Sequence, residues 1–542
     1  MPRPAGPRPA RPVGLVAVVL AVTAVGITTT ALGVVARSVA DDLDVGAVPL
    51  GWVVNAYLIV AASFALVGGR LGDRWGRRRV FGIGCGVFAF GSVMAAVSPT
   101  VWFLVGARSV QGLGAALLLP SSIEVIATTL RGHEERRALL VRGTAFAVAF
   151  GVGPLVGGLL GDTVGWRWLF VLVAALALVP ATIALVGSTP PEPDGEPLHD
   201  RLGAALSVVG VFVVVLLAER GRVWGAPWAT AASVGLAAVL AVVFTWLERR
   251  SDAPLLHPSL LRDRVVLGGD LATFSSALGM LGLLYFFGIY VRSAAVFGDS
   301  ALHVAGALIP FAVTLALLGW TAGWLGRHFG RAVPVVVGMG LMAAGFLVLS
   351  RTTASASEDS LLLPLAVCGI GAGIANACVT GPSILSVEQS RMGEAAGASS
   401  LARFAGTALA VAIGTSTYLG VGAHRLQGLP EREGAPTAEE VADATGVDVD
   451  SDELTLGGDV FQRALGRLDE DLRAPFAAAV ELDAVEGFTR TMRWAGITLL
   501  LSAVASGWLL RGRPQERQSE SGVASRGPVN GSGTGPPEPA EA

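Results

Sequence analysis

The chain has 542 residues, 52% of them hydrophobic and only 15% charged, with a mean hydropathy of +0.62 and a net charge of −3. Soluble domains carry roughly 25% charged residues, so water cannot solvate this composition unless most apolar side chains face lipid. Apart from histidine every basic residue is arginine, which excludes Schiff-base, Walker-type and other lysine chemistry.

A spanning helix needs about 20 apolar residues. Such runs fall near 13–35, 48–69, 80–97, 101–128, 138–160, 168–188, 202–218, 228–247, 265–291, 301–325, 332–350, 361–386, 394–420 and 491–510. The first follows Arg3, Arg8 and Arg11, and Ser38-Val39-Ala40 resembles a signal-peptidase site. It is longer than the ~7–15 residues of a signal h-region, so it is expected to remain as a helix. Arginine placement agrees with these spans, because short cytoplasmic loops carry the positive charge. With the N-terminus inside, the inside loops hold Arg70, Arg74 and Arg77–Arg79, then Arg131, Arg136 and Arg137, then Arg249, Arg250, Arg262 and Arg264, then Arg327 and Arg331. Opposite loops hold Asp41, Asp42, Asp44, Glu358 and Asp359. The Pro- and acid-rich 189–200 departs from the rule. An acidic segment, 421–487, with a short helical pattern over Phe461–Leu472, falls on the outer side, and a Gly/Pro/Ser/Glu tail is expected to be disordered.

The expected class is an all-α integral membrane protein of about 14 transmembrane helices. Its parts are a cytoplasmic segment (1–12), a six-helix bundle (13–200), two inserted helices with a linker (201–264), a second six-helix bundle (265–510) and a cytoplasmic tail (511–542). The two bundles follow from an internal repeat. Gly69-Arg-Leu-Gly-Asp-Arg-Trp-Gly-Arg77 returns as Gly323-Trp-Leu-Gly-Arg-His-Phe-Gly-Arg331, an offset of 323 − 69 = 254 residues. Arg137, Gly143 and Phe150 map by the same offset onto Arg391, Gly397 and Phe404.

Three motifs carry chemistry. Gly69–Arg79 joins the second and third helices, with glycines for a tight turn and Asp73 among arginines. Arg108-Ser-Val-Gln-Gly112 puts a charge in the fourth helix, which marks a functional-site candidate in a bilayer. Gln111 lies one turn from Arg108. Gly151-Val-Gly-Pro-Leu-Val-Gly-Gly158 gives the fifth helix close-packing glycines and a proline that bends it. The cysteines Cys85, Cys368 and Cys378 lie in apolar runs and read as small buried hydrophobes, the six histidines lack metal-ligand spacing, and Gly369–Gly373 reads as helix packing rather than a nucleotide loop.

Together these motifs resemble the major facilitator superfamily, and within it the fourteen-helix drug:proton antiporters. Trp52-Val-Val-Asn-Ala-Tyr57, Trp166-Arg-Trp-Leu-Phe170 and Leu247-Glu-Arg-Arg250 with Pro254-Leu-Leu256 fit that subgroup. The resemblance implies a gating loop at Gly69, Gly72, Asp73, Arg74, Gly76, Arg77 and Arg78, and an antiporter motif at Gly153, Pro154, Gly157 and Gly158. It implies proton transfer at Arg108. The family's first-helix Asp-x-Thr is absent here; Thr28, Thr29 and Thr30 stand at those positions. Asp270 and Glu124 are therefore further proton-coupling candidates.

In the family the first, fourth, ninth and twelfth helices line a central cavity. That nominates Thr28, Thr29, Gln111, Asp270, Tyr290 and Asn376, with Asn55 and Phe150 nearby. The expected function is proton-coupled export of hydrophobic or amphipathic small molecules, drugs or antibiotics, across the bacterial cytoplasmic membrane, by a monomer with both termini cytoplasmic. The alternatives are a specific exporter of a self-made metabolite, an uptake symporter and a non-transporting scaffold. No enzyme activity, catalytic residue, cofactor, metal or nucleic-acid partner is expected; the partners are a small-molecule substrate, protons and the lipid bilayer.

Overall fold

The structure is a computed structural model. It describes residues 12–45, 47–186, 201–220, 228–251, 254–257, 259–293, 301–319, 321–353, 357–388, 391–426 and 470–511. The 189–200 loop, the Phe461–Asp469 part of the helical pattern and nearly all of the tail lie outside them.

The helices are α1 (Pro12–Leu43), α2 (Ala47–Trp75), α3 (Arg77–Ala96), α4 (Val101–Thr129), α5 (His133–Thr163) and α6 (Arg167–Val186). Next come α7 (Arg201–Arg220), α8 (Trp228–Glu248) and α9 (Arg264–Ser293). Then follow α10 (Ala301–Ala307), α11 (Ile309–Leu318), α12 (Thr321–Phe329), α13 (Ala332–Leu349), α14 (Glu358–Leu385), α15 (Met392–Leu426) and α16 (Glu470–Leu510). Among the described residues ten helices are long and apolar enough to cross a membrane, or eleven if the bent pair Ile309–Leu318 and Thr321–Phe329 is one span. With α7, α8 and α15 this is consistent with the fourteen helices expected.

Two boundaries differ from expectation. The single run 301–325 is broken into α10, α11 and α12, with a 48° bend between the last two. Pro310 opens α11, where its missing N–H costs nothing. The last helix begins at Glu470 and its candidate span is Val485–Leu510, a few residues ahead of the expected 491, so part of the acidic segment continues the helix.

The helices pair as the sequence repeat requires. In the first half α1 packs on α5 and α6, α3 on α4 and α6, and α2 on α4. In the second, α9 packs on α15 and α16, α13 on α14 and α16, and α11 on α14. Gly76 and Gly330, also 254 apart, both take positive φ (87° and 80°), a conformation open to glycine. The halves meet where α2 lies on α15 and where α5 lies on α10, α11 and α14. The insert sits at one seam, with α7 against both α2 and α15.

Tryptophans mark two levels. Trp102, Trp168, Trp228 and Trp494 are exposed at one end, and Trp75, Trp246, Trp324 and Trp508 at the other, the arginine-rich end. Such aromatic belts form at membrane interfaces. Trp246 lies 18 positions after Trp228 on one helix, about 27 Å at ~1.5 Å per residue, close to a ~30 Å hydrocarbon core.

Inside, glycines set the helix approach. A Cβ on Gly371 would fall 2.4 Å from Met342 N, and one on Gly373 2.6 Å from Leu315 O. The Gly369–Gly373 run is therefore packing, with α14 wedged between α11 and α13. The α1–α5 contact is of the same kind, since a Cβ on Gly157 would lie 2.7 Å from Ala31 O. Pro154 has no N–H, so the carbonyl of Phe150 loses its helical donor. Thr30 Oγ1 of α1 supplies it, donating to Phe150 O at 2.8 Å.

Thr30→Val should leave that buried carbonyl orphaned at a cost of about 1–3 kcal/mol. Cys85 and Cys368 are buried, so labelling by a thiol-reactive dye on heating reports unfolding. The Val variant should label at a lower temperature than wild type, and Thr30→Ser, which keeps the hydroxyl, should stay close to wild type.

Candidate functional site: a charged latch and a buried polar centre

At the arginine-rich end α2 and α15 touch backbone to backbone, and a Cβ on Gly69 would lie 2.2 Å from Gly393 O. Arg70 reaches across this seam. Its Nη1 donates to Glu394 Oε1 at 3.1 Å and its Nη2 to Pro254 O at 2.9 Å. Glu394 is 1% exposed and sits in the first turn of α15, where a carboxylate is favoured by the helix dipole. It also accepts from the backbone N of His257 at 2.9 Å, and His257 Nδ1 lies 2.9 Å from Oε1. Asp73 accepts from Arg77 Nη2 at 2.9 Å and stands 4.0 Å from Arg70 Nη1.

Glu124 belongs to this end too. It is fully buried, 3.7 Å from Arg77 Nε, and occupies the space that a side chain on Gly72 would need. Arg78 closes the end of α6 by donating to Ile183 O and Ala184 O. Arg331 does the same for α16 at Leu510 O. Of the expected gating residues, Gly69, Gly72, Asp73, Gly76, Arg77 and Arg78 take part in this assembly. Arg74 makes no ion pair among the described residues.

The second cluster lies deeper, in the first half. Arg108 is 1% exposed. Its Nε donates to Val53 O at 3.1 Å, and its Nη1 to Thr28 Oγ1 at 3.2 Å and to Gln111 Oε1 at 2.7 Å. The Tyr57 ring lies 4.3 Å from the guanidinium carbon. A central arginine costs about 2.5–3.5 kcal/mol on insertion scales. The ring face returns ~2 kcal/mol when desolvated, and the neutral acceptors offset the rest. Gln111 Nε2 in turn donates to Ser92 Oγ at 2.6 Å, tying α4 to α3. No carboxylate lies within 4 Å of Arg108 among the described residues.

The third cluster lies on the seam between the halves. Arg403 of α15 donates to Asn376 Oδ1 at 3.3 Å and stands 4.7 Å from the Phe146 ring centroid. One turn along α5, Arg142 donates to Ser122 Oγ at 2.7 Å and to Leu119 O at 3.0 Å. One turn before Arg403, Ser399 donates to Asp270 Oδ1 of α9.

The cavity candidates therefore divide. Thr28 and Gln111 hold Arg108, and Thr29 Oγ1 lies 3.4 Å from the Tyr57 hydroxyl. Asn376 and Phe150 belong to the seam, with Phe150 next to Phe146. Tyr290 stacks on Phe488 of α16 at 4.6 Å, inside the second half. Asn55 is buried on α2. Gly153, Pro154 and Gly157 join α5 to α1, while Gly158 is buried on the same helix. A cavity of about 230 Å³, lined by Phe287, Val291, His303 and Leu361 among others, lies away from these clusters, beyond Tyr290.

Sequence reasoning missed Glu394, His257, Ser399, Arg142 and Arg403. A signal existed for the arginines, since each interrupts an apolar run. Glu394 and Arg403 have no echo in the first half, where the 254-residue offset gives Leu140 and Ala149.

Loss of the latch should loosen the seam. Ala65 is fully buried on α2 facing α15, so a cysteine there should react slowly with an impermeant maleimide. Glu394→Gln or Arg70→Gln should raise that rate several-fold; an unchanged rate would show that the ion pair does not hold the seam.

Comparison with known proteins fits this arrangement. The sequence profile described as Major Facilitator Superfamily matches residues 16–411. The chain is 30% identical over 461 residues to the uncharacterized MFS-type transporter Rv1250 of Mycobacterium tuberculosis, covering 83% of this chain and 74% of that one. It is 28% identical to the multidrug efflux pump LfrA of Mycolicibacterium smegmatis (75% and 79% covered). It is also 28% identical to the multidrug resistance protein Stp of M. tuberculosis (86% and 85%). A crystal structure of a bacterial homolog of the human lysosomal transporter Spinster, inward-facing and occupied, superposes with a TM-score of 0.57 at 16% identity, covering 95% of this chain and all of that one. The chain belongs to the major facilitator superfamily and is a membrane transporter, not an enzyme.

Proposed function

We propose that this protein exports hydrophobic or amphipathic small molecules across the bacterial cytoplasmic membrane in exchange for protons, by alternating access of its two halves. The observation that carries the coupling is Asp270. It is a carboxylate less than two turns into the α9 span, and it accepts a hydrogen bond from a hydroxyl, Ser399 of the facing helix, rather than from an arginine. A carboxylate so placed can take and release a proton without breaking a latch. Glu124 is less suited, because it sits against Arg77 at the end of the molecule. Arg108 orders the polar core of the first half through Thr28, Gln111 and Val53.

Export rather than uptake is supported by the Gly-Pro-x-x-Gly-Gly motif and by the efflux pumps among the relatives. The latch on the arginine-rich end is the natural gate. That end faces the cytoplasm by the positive-inside rule, which puts both termini inside. One chain supplies both halves, so a monomer suffices.

Everted membrane vesicles with an imposed pH gradient test this directly. Hydrophobic cations, neutral antibiotics and amphipathic acids are added in turn, and the gradient is followed with a fluorescent dye. Wild type should release protons on addition of substrate. Asp270→Asn should lower that release at least ten-fold while still binding substrate, and vesicles lacking the protein should give none. Equal release from Asp270→Asn and wild type would remove Asp270 as carrier. No release for any compound would favour an uptake symporter.

A further inference from the structure

The linker that follows the inserted helices brings a histidine to the latch, and it is anchored on the second half. Leu256 and Leu260 are buried against Val387 and Ala395, beside the start of α15, and against Val266 of α9. Arg391 donates to Ser259 Oγ at 3.0 Å. The backbone N of Leu256 donates to Glu248 at 3.0 Å, which fixes the turn out of α8. Toward the first half the linker offers the carbonyl of Pro254, which accepts from Arg70.

Glu394 therefore faces a cation on α2 and an imidazole on the linker. Arg70 Nη1 lies 3.1 Å from Oε1. The backbone N of His257 donates to Oε2 at 2.9 Å, and its Nδ1 lies 2.9 Å from Oε1 and 3.0 Å from Oε2. A carboxylate paired with arginine only accepts, so Nδ1 carries a proton and Nε2 decides the charge of the ring. The His257 side chain is 34% exposed, so that second proton can arrive from water without entering the spans. Among the described residues Glu394 is the ionisable group that the imidazole touches. The charged groups on the neighbouring elements are Arg70 and Asp73 of α2, Arg77 of α3, Glu248 of α8, and Glu388 and Arg391 before α15. The linker itself adds Arg249, Arg250, Arg262 and Asp263. Arg70 and His257 share one oxygen, which puts their nitrogens within about 6 Å of each other, close enough for two cations to repel.

We propose that His257 is a pH-sensitive catch on the cytoplasmic gate: its protonated imidazole replaces Arg70 as the counter-ion of Glu394 and favours the open inner end. With the latch closed, Arg70 neutralises Glu394 and opposes a second positive charge beside it. When α2 leaves α15, Arg70 departs with the first half, and His257 stays with the second through Leu256, Leu260 and Ser259. The ring then faces a carboxylate that has lost its cation, which favours the imidazolium. A proton held more tightly by the open form shifts the equilibrium toward that form. The inner end therefore opens as pH falls through the range where imidazoles change charge, roughly 8 to 5. In an exporter that admits protons, an acid cytoplasm then holds the inner end open and stops the turnover that would acidify it further. The proposal rests on the reading of the arginine-rich end as the cytoplasmic gate, and not on the identity of the substrate.

Two spin labels, on Arg79 of α3 and Phe329 of α12, report the gap between the halves at this end; both side chains are exposed. The full-length protein is studied in nanodiscs without substrate or gradient. It carries Asp270→Asn, which keeps the titration of that carboxylate out of the reading. The long-distance population of this parent should rise at least three-fold between about pH 8 and about pH 5.5. His257→Gln, which keeps the backbone N–H on Glu394, should show less than a third of that rise. His257→Lys, a permanent cation, should be as open at the higher pH as the parent is at the lower, and should change little between them. A purely structural role would open both variants alike and leave the rise in place. An equal rise in His257→Gln, a fall or no change on acidification of the parent, or a His257→Lys protein that stays closed would overturn the proposal. Arg70→Gln separates the two readings. If it lengthens the distance while the pH effect is absent, the gate stands and the catch falls; if it leaves the distance unchanged, the gate falls as well.

Discussion

Glu394 is the carboxylate on which the closed end of this transporter depends. It is buried at the start of α15, and it holds Arg70 of the first half and His257 of the linker that follows the inserted helices. Three parts of the chain, separated by up to 324 residues, are thus joined at one side chain. A buried carboxylate without such partners would be costly. With them it fixes α2 against α15 at the point where Gly69 and Gly393 let the backbones touch. The insert is not a passenger in this arrangement. Helix α7 packs on the same α2–α15 seam, and the carbonyl of Pro254 takes a hydrogen bond from Arg70.

The same rule governs the interior. Lipid offers no hydrogen bonds, so every polar group within the spans needs a partner from the protein. Thr30 fills the place left by the missing N–H of Pro154, and Gln111 passes the demand of Arg108 on to Ser92. These bonds run within the first half and tie its helices to one another. The contacts between halves are fewer and concentrate at the two ends and the seam: Arg70 on Glu394 at one end, Leu302 N on Asp162 at the other, and Arg403 near Phe146 between them.

Much of the fold was legible in the sequence because lipid imposes a simple code. Apolar runs gave the spans, arginines gave the loops, and one offset of 254 residues gave the duplication that the helix pairing and the twin positive-φ glycines 76 and 330 bear out. The break within 301–329 was not legible. Its residues are apolar throughout, and hydropathy reads composition, not the direction of the axis. The gating loop was legible as a motif, but its partner was not. Glu394 stands in a small-residue stretch and means something only once α15 lies on α2. Arg142 and Arg403 were visible as charges in apolar runs. The approach of Arg403 to Phe146 depends on how the two halves meet, which no local pattern encodes.

The central claim is that the two ends open in turn about rigid halves. Distances between spin labels test it most directly in the reconstituted protein. One pair sits at the arginine-rich end, on Trp75 of α2 and Arg391 just before α15. The other sits at the far end, on Val164 after α5 and Leu302 of α10, both exposed side chains. The account predicts that a change of pH or the addition of substrate lengthens one distance while shortening the other. Two distances that stay fixed, or that rise and fall together, would contradict it.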